Sequence, residues 1–280
     1  MVGNKQMNLA IAFLLLLLPT YSKAQATHPS DSAWNRIDDG LYYAEFVGVP
    51  ASPVGDSRVD IIRIDPRLYR IEVKMASQSN GPSLTAKEWC EETGMLAATN
   101  AGMFQQDHRT HVGYLKHRDH INCPKSTDKY LSVAAFDPID TTLSPFHIFD
   151  LDVTPLEYIT RDYRTVIQNL RLVKRPGKNT WSQQDKMWSE AALGEDKQGN
   201  ILFIFSRSPY SMYDLNHILL RLPINLVAAQ HLEGGPEASL ILSHNGHLIE
   251  RMGSYETAFM LSDSNDTLWP LPNVIGIVKR

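Results

Sequence analysis

Apolar positions recur with a period of two over much of the chain, and short strands are what that period predicts. In Tyr69–Met75, Ile71, Val73 and Met75 alternate with Arg70, Glu72 and Lys74, the pattern of a sheet with one solvated face. Residues 41–47 and 59–64 precede it as strand-like runs, with Asp65-Pro66 marking the turn between 59–64 and Tyr69–Met75. Residues 95–99 read as a buried strand running into Asn100-Ala101-Gly102. Further strands are expected at 131–136, 165–168, 191–193, 201–205, 226–232 and 273–278. Residues 238–242 and 248–251 flank Asn245-Gly246, a type I′ hairpin signal. The period turns helical twice. Ser83 is placed to cap a helix whose Ala86, Trp89 and Cys90 share a face and which Gly94 ends. Ser211 is placed to cap a second, with Leu215, Ile218, Leu219 and Leu222 as its buried stripe and Pro223 as its stop. Many strands and few helices predict an α+β fold with a mixed or largely antiparallel sheet core and a few packed helices.

The first residues break this pattern. Lys5 precedes an apolar run from Leu9 to Pro19, followed by polar residues and Ala24-Gln25-Ala26. A short apolar run ahead of a small-residue site is the pattern of a cleaved secretory signal, assigned here to residues 1–26. A run of about a dozen residues falls short of the ~20 that cross a bilayer, and no other segment is apolar enough to span. Residues 27–40 read as a loosely ordered leader and 41–280 as a single domain, so the mature chain is expected to be secreted or periplasmic. Composition changes little in this picture: 43% hydrophobic and 21% charged, with a net charge of −4. That balance offers no basic stripe for nucleic acid. Cys90 and Cys123 are the two cysteines. In an oxidising compartment such a pair is expected to form a disulfide, buried free thiols being the alternative. The bridge would close a loop of about 34 residues and contribute ~3–4 kcal/mol.

Signatures of nucleotide-binding loops, serine nucleophile elbows and zinc-protease helices are absent. Chemistry is left to glycine-bearing turns at strand ends, where sites concentrate. In Asn100-Ala101-Gly102-Met103-Phe104, Gly102 permits close backbone approach and Asn100 offers an amide. In 231–239, two glycines and Pro236 fix a bend flanked by Glu233 and Glu237, with His231 and Ser239 nearby. Read alone, this is a hairpin with solvated acids. Read chemically, paired carboxylates divide acid and base roles or hold a divalent cation. His108, His111, His117, His120 and Cys123 match no zinc-site spacing and are expected in a solvated loop, so no metal ligands are assigned.

Taken in order, these turns resemble the phosphodiester glycosidase family over roughly residues 95–279. Asn100 to Phe104 is similar to that family's Asn-(Gly/Ala)-Gly-x-Phe strand end, and Gly113-Tyr114-Leu115 to the glycine-containing strand that follows. Glu190-Ala191-Ala192-Leu193-Gly194 resembles its Arg-(Ser/Thr)-Ala-(Ile/Leu)-Gly strand. Arg207, ahead of the helix from Ser211, matches its arginine-bearing loop, and His231 to Glu237 its Asn-Leu-Asp-Gly-Gly-(Gly/Pro)-Ser turn. The family's arginine thus falls on Glu190, its aspartate on Glu233 and its serine on Glu237. The departures at 190 and 237 add negative charge where an anionic diester would sit. At ~4 Å and an effective dielectric near ~20, each like-charge contact costs about 4 kcal/mol, unless a cation or raised carboxyl pKa values intervene.

The resemblance implies an exported hydrolase that cleaves a glycosyl phosphodiester or related glycan bond. Glu233 would be the carboxylate on the sugar side, with Glu190 or Glu237 as the second acid or base. Asn100 and Arg207 would orient the substrate, with Gly102, Gly234 and Gly235 giving it backbone access. A divalent cation is the one cofactor left open. Two other readings stand beside this one: a non-catalytic glycan-binding protein on the same scaffold, and a cation-dependent hydrolase of another bond.

Overall fold

The computed structural model describes residues 1–3 and 33–280. The expected signal, beyond its first three residues, and the start of the leader lie outside the described residues. Strands with alternating burial assemble into three sheets, and every pairing among the described residues is antiparallel. The first sheet runs in the order β1 (Asn35–Asp38), β2 (Leu41–Val47), β3 (Arg58–Ile64), β14 (Ile201–Tyr210), β13 (Trp188–Asp196), β15 (Leu226–Gly234), β11 (Arg171–Lys174), β12 (Lys178–Asn179). The second runs β7 (His120–Cys123), β6 (Leu115–His117), β10 (Tyr163–Asn169), β8 (Ser132–Pro138), β9 (Phe146–Asp150). The third runs β17 (His247–Met252), β16 (Ser239–His244), β5 (Ala97–Asn100), β18 (Asn273–Lys279), β4 (Tyr69–Met75).

One face of each sheet contributes to a shared core. Ile62 and Phe203 from the first sheet, Phe136 and Ile167 from the second, and Val73 and Leu240 from the third belong to one buried cluster. Each such side chain removed from water contributes ~1.5–3 kcal/mol. The opposite faces carry helices. On the first sheet, α4 (Met212–Arg221) buries Leu215, Ile218 and Leu219 against Ala44, Ile61 and Ile204. On the third, α2 (Ala86–Thr93) sets Trp89 and Cys90 against Ala98, Ile241 and Val274. On the second, α3 (Leu156–Asp162) buries Ile159 with Val133 and Val166. With the single turn α1 (Ala76–Ser79) these are the four helices among the described residues, so the fold is strand-dominated rather than balanced. None is long and apolar enough to cross a membrane.

Several expectations change on contact with the structure. Residues 35–38 are ordered as β1, because Ile37 is an apolar anchor in the core and Trp34 packs edge-on against Phe46. Thr85, not Ser83, caps α2: its hydroxyl accepts from the Glu88 amide, and the Glu88 carboxylate accepts from the Thr85 amide at 2.8 Å. The expected disulfide is not formed. Cys90 and Cys123 are both free and buried, because α2 turns Cys90 into the apolar cluster behind the third sheet whereas Cys123 ends β7 in the second. Burial pushes the Cys90 thiol up to about 12. The histidine-bearing stretch is not a solvated loop either: it contains β6 and β7, and His111 and His117 are buried.

Candidate active site

The site grows from the pairing of β13 with β15. Glu190 lies opposite Gly234, Ala191 opposite Glu233 and Ala192 opposite His231, with a bulge between the last two pairs. Leu232 enters the shared core, while His231 and Glu233 on either side of it line a cleft. The turn after β15 is not a hairpin. A 3₁₀ turn, Gly235–Glu237, carries the chain out of the first sheet and into β16 of the third. Gly235 takes φ +65°, and a Cβ there would stand 2.9 Å from the Glu256 carboxylate; at Gly234 it would stand 2.6 Å from the Trp188 ring. These two glycines therefore admit the protein's own Glu256 and Trp188 beside the turn.

The other turn of the sequence pattern lies alongside. Asn100 ends β5 and is fully buried. Its Nδ2 donates to the Glu237 carbonyl at 3.0 Å, and its Oδ1 accepts from the Ser239 amide at 2.8 Å. The amide expected to orient substrate thus stitches the two turns together. Gly102, at φ +148°, leaves room for two buried side chains: a Cβ would lie 2.2 Å from Asn169 Oδ1 and 2.3 Å from His111 Nε2. Burial holds the His111 pKa below its ordinary value, so this imidazole is neutral. Met103 and Phe104, next along the chain, reach the cleft wall.

The cleft encloses about 380 Å³ and is lined by the apolar Met103, Phe104, Trp188 and Met212 together with the carboxyl groups of Glu233, Glu237 and Glu256. Glu190 sits behind the wall, 2% exposed. Its Oε1 accepts from His231 Nδ1 at 2.6 Å and its Oε2 from the Trp188 indole at 2.8 Å. Burial alone would lower the His231 pKa, but the Glu190 charge and hydrogen bond outweigh it and raise it. The hydrogen bond to Glu190 thus favours the protonated form of the His231 ring, which lines the cleft. Glu233 is half-buried, and desolvation pushes its carboxyl up to about 8, against the pull of the His231 cation. Burial raises Glu237 too. Near neutral pH burial therefore favours the protonated form of Glu233, and of the two charge-adding departures from the family pattern, at 190 and 237, the one at 190 is buried against His231.

Glu190, Glu233, Glu237 and the Asn100 and Gly102 turn are thus gathered at one place, but Arg207 is not. Its guanidinium pairs with Asp263 at 2.6 Å and donates to the carbonyls of Met252 and Asn265, beside a separate hollow shared with Arg251. It clamps the loop after β17 that brings Glu256 to the cleft. Glu256, Trp188 and Met212 escaped the sequence reading. No local pattern marks them, whereas His231 carried a usable signal, standing two residues before Glu233 and so on the same strand face. Among the described residues no group of three or more His, Cys, Asp or Glu side chains is arranged to hold a metal ion.

Comparison with known proteins places the fold. The structure is similar to the catalytic domain of zebrafish N-acetylglucosamine-1-phosphodiester alpha-N-acetylglucosaminidase, auto-inhibited by its pro-peptide. The TM-score is 0.59 at 15% identity, over 88% of this chain and 86% of that one. It is similar also to a hypothetical protein from Synechocystis, with a TM-score of 0.57 at 14% identity, over 86% of this chain and 62% of that one. No curated protein sequence matches the chain. The family profile described as phosphodiester glycosidase matches residues 93–278, a span that takes in the cleft with Glu190, His231, Glu233, Glu237 and Glu256. The chain belongs to the phosphodiester glycosidase family.

Proposed function

We propose that the cleft hydrolyses a glycosyl phosphodiester, of the kind named for the zebrafish relative, and that the protein does so after export and removal of residues 1–26. The observation that carries this reading is the joint state of Glu233 and His231. A half-buried carboxyl whose protonated form is favoured and a histidine whose protonated form Glu190 favours line the cleft with two further carboxyl groups. In the reaction the bond between the anomeric carbon and the phosphate oxygen breaks. Glu233 supplies the proton taken up by the departing phosphomonoester. Water adds to the anomeric carbon and yields its proton to Glu237 or Glu256, whose negative charge also steadies the oxocarbenium-like centre. His231 offsets the negative field without entering the bond changes.

The assignment differs from the sequence expectation: Glu233 acts as the acid rather than as the charged group beside the sugar, Glu256 replaces Glu190 as a candidate base, and Asn100 and Arg207 are engaged by the protein's own backbone rather than by substrate. Its test is a pH–rate profile on N-acetylglucosamine 1-(methyl phosphate). Activity should fall as pH rises through about 8, where Glu233 loses its proton. A rate that climbs through that range removes Glu233 from the acid role. A second reading, a glycan-binding protein without turnover, draws support from Asn100 and Arg207, both of which are bound to the protein's own backbone. Sugar affinity with no release of phosphomonoester would favour it.

A further inference from the structure

A second hollow adjoins the cleft. It encloses about 360 Å³ and shares Leu170 with the cleft as a common wall. Leu170 joins β10 to β11, and its carbonyl accepts from the His231 amide at 2.8 Å, so the partition is tied directly to the acidic wall. The segment that carries Lys129 and Leu131 borders the second hollow. Tyr130, between them, points its hydroxyl at Met103 Sδ, 3.9 Å away, and lies within electrostatic reach of Glu233.

The two spaces differ in charge. The cleft holds Glu233, Glu237 and Glu256, whereas the second hollow is lined by Lys129, Arg171, Thr180, Trp181 and Ser182. The Arg171 charge is already balanced by Asp150 and Asp152, at 3.1 and 2.8 Å. Lys129 is exposed, and among the described residues no carboxylate stands within ion-pair distance of it. The Trp181 ring is held in place: its Nε1 donates to the Arg171 carbonyl at 2.8 Å and its amide to Asn179 Oδ1 at 3.1 Å. A fixed indole beside a free ammonium and two exposed hydroxyls suits a ligand with an anionic group and a ring or chain to lie on an aromatic face.

Resting on the hydrolase reading above, we propose that this hollow is a second subsite: it receives the phosphate and its alcohol substituent while the sugar occupies the acidic side of Leu170. The scissile bond then lies over the partition, with the anion drawn towards Lys129 and away from the carboxylates. Substrate preference follows. Diesters with a ring-bearing or extended alcohol gain contact with Trp181, and neutral glycosides gain nothing from Lys129.

Calorimetric titration of the full chain, wild type and Lys129→Glu, with N-acetylglucosamine 1-(methyl phosphate) and with N-acetylglucosamine tests the subsite. Wild type should bind the diester at least about tenfold more tightly than the sugar. Lys129→Glu should lose at least about tenfold on the diester and less than about twofold on the sugar, the scale of one like-charge contact near the surface. A melting scan checks that the exposed substitution leaves the fold intact. Equal losses on both ligands, an unchanged affinity for the diester, or no binding of the diester by wild type would overturn the subsite. Turnover is read separately. Its absence beside the expected binding split would overturn the hydrolytic reading and leave the subsite standing.

Discussion

Replacing Glu233 by glutamine should stabilise the protein above neutral pH even as it disables the site. In the folded chain burial keeps this carboxyl protonated up to about 8, whereas its ordinary value is 4.5. Between those two pH values the folded state holds a proton that the unfolded state has released. Stability therefore falls as pH rises through the window. Over the whole window the loss is at most about 5 kcal/mol, and the His231 cation, which favours the ionised form, belongs to the same balance. Glutamine keeps the shape and has nothing to ionise. The variant and wild type should unfold at nearly the same free energy near about pH 4, and by about pH 8 the variant should be ahead by a few kcal/mol. Urea titrations followed by tryptophan fluorescence across that range measure the difference. An offset that does not change with pH, or a variant less stable than wild type at the alkaline end, would refute the claim that burial holds Glu233 neutral.

Other perturbations have definite expected outcomes. Burial opposes ionisation of Glu72, but the nearby His117 ring, 3.7 Å away, and the hydrogen bond and charge of Arg118 overcome it and hold the carboxyl to about 2. Its contribution is complete above 4.5 and is lost as pH falls towards about 2. Glu72→Gln should thus cost about 3 kcal/mol at neutral pH, and a cost that persists undiminished in acid would contradict the pairing. Gly102→Ala drives a Cβ onto Asn169 and His111 at a positive φ and should cost at least about 3 kcal/mol or prevent folding. An alanine variant as stable as wild type would show that this turn tolerates a side chain. Cys90 and Cys123 should react with a thiol reagent only after denaturation, both being buried and free. Recovery of a peptide linking the two from unreduced protein would contradict that.

Much of the fold was legible because its signals are local. The alternation through Tyr69–Met75, the Ser211 cap whose hydroxyl accepts from the Asp214 amide, and the Asn245-Gly246 turn between β16 and β17 all act within a few residues. β1 was hidden because a four-residue strand with Ile37 as its buried residue carries no periodicity. The turn after Glu233 looks like a hairpin from within. That it crosses between sheets depends on β16 pairing with β5, about 140 residues earlier in the chain. The site was legible in part for the same reason. The glycine-bearing turns announce themselves, but the partners that set their chemistry are distant. Glu190 meets His231 across a pairing of 41 residues' separation, and Glu256 arrives on a loop held by Arg207. The charge-adding departures looked hostile to an anion because sequence shows the carboxyl groups and not their burial. Burial of Glu190 against His231 and desolvation of Glu233 and Glu237 weaken that negative charge.

Hydrolysis of N-acetylglucosamine 1-(methyl phosphate) by wild type and by Glu233→Gln, measured side by side near neutral pH, tests the role of the cleft most directly. Wild type should release methyl phosphate and free sugar. The variant should bind the diester comparably and turn it over at least about a hundredfold more slowly, about 3 kcal/mol of transition-state stabilisation. Wild-type turnover that survives the substitution, or none by wild type across a panel of glycosyl phosphodiesters, would contradict the assignment of Glu233 as the acid of a phosphodiester glycosidase.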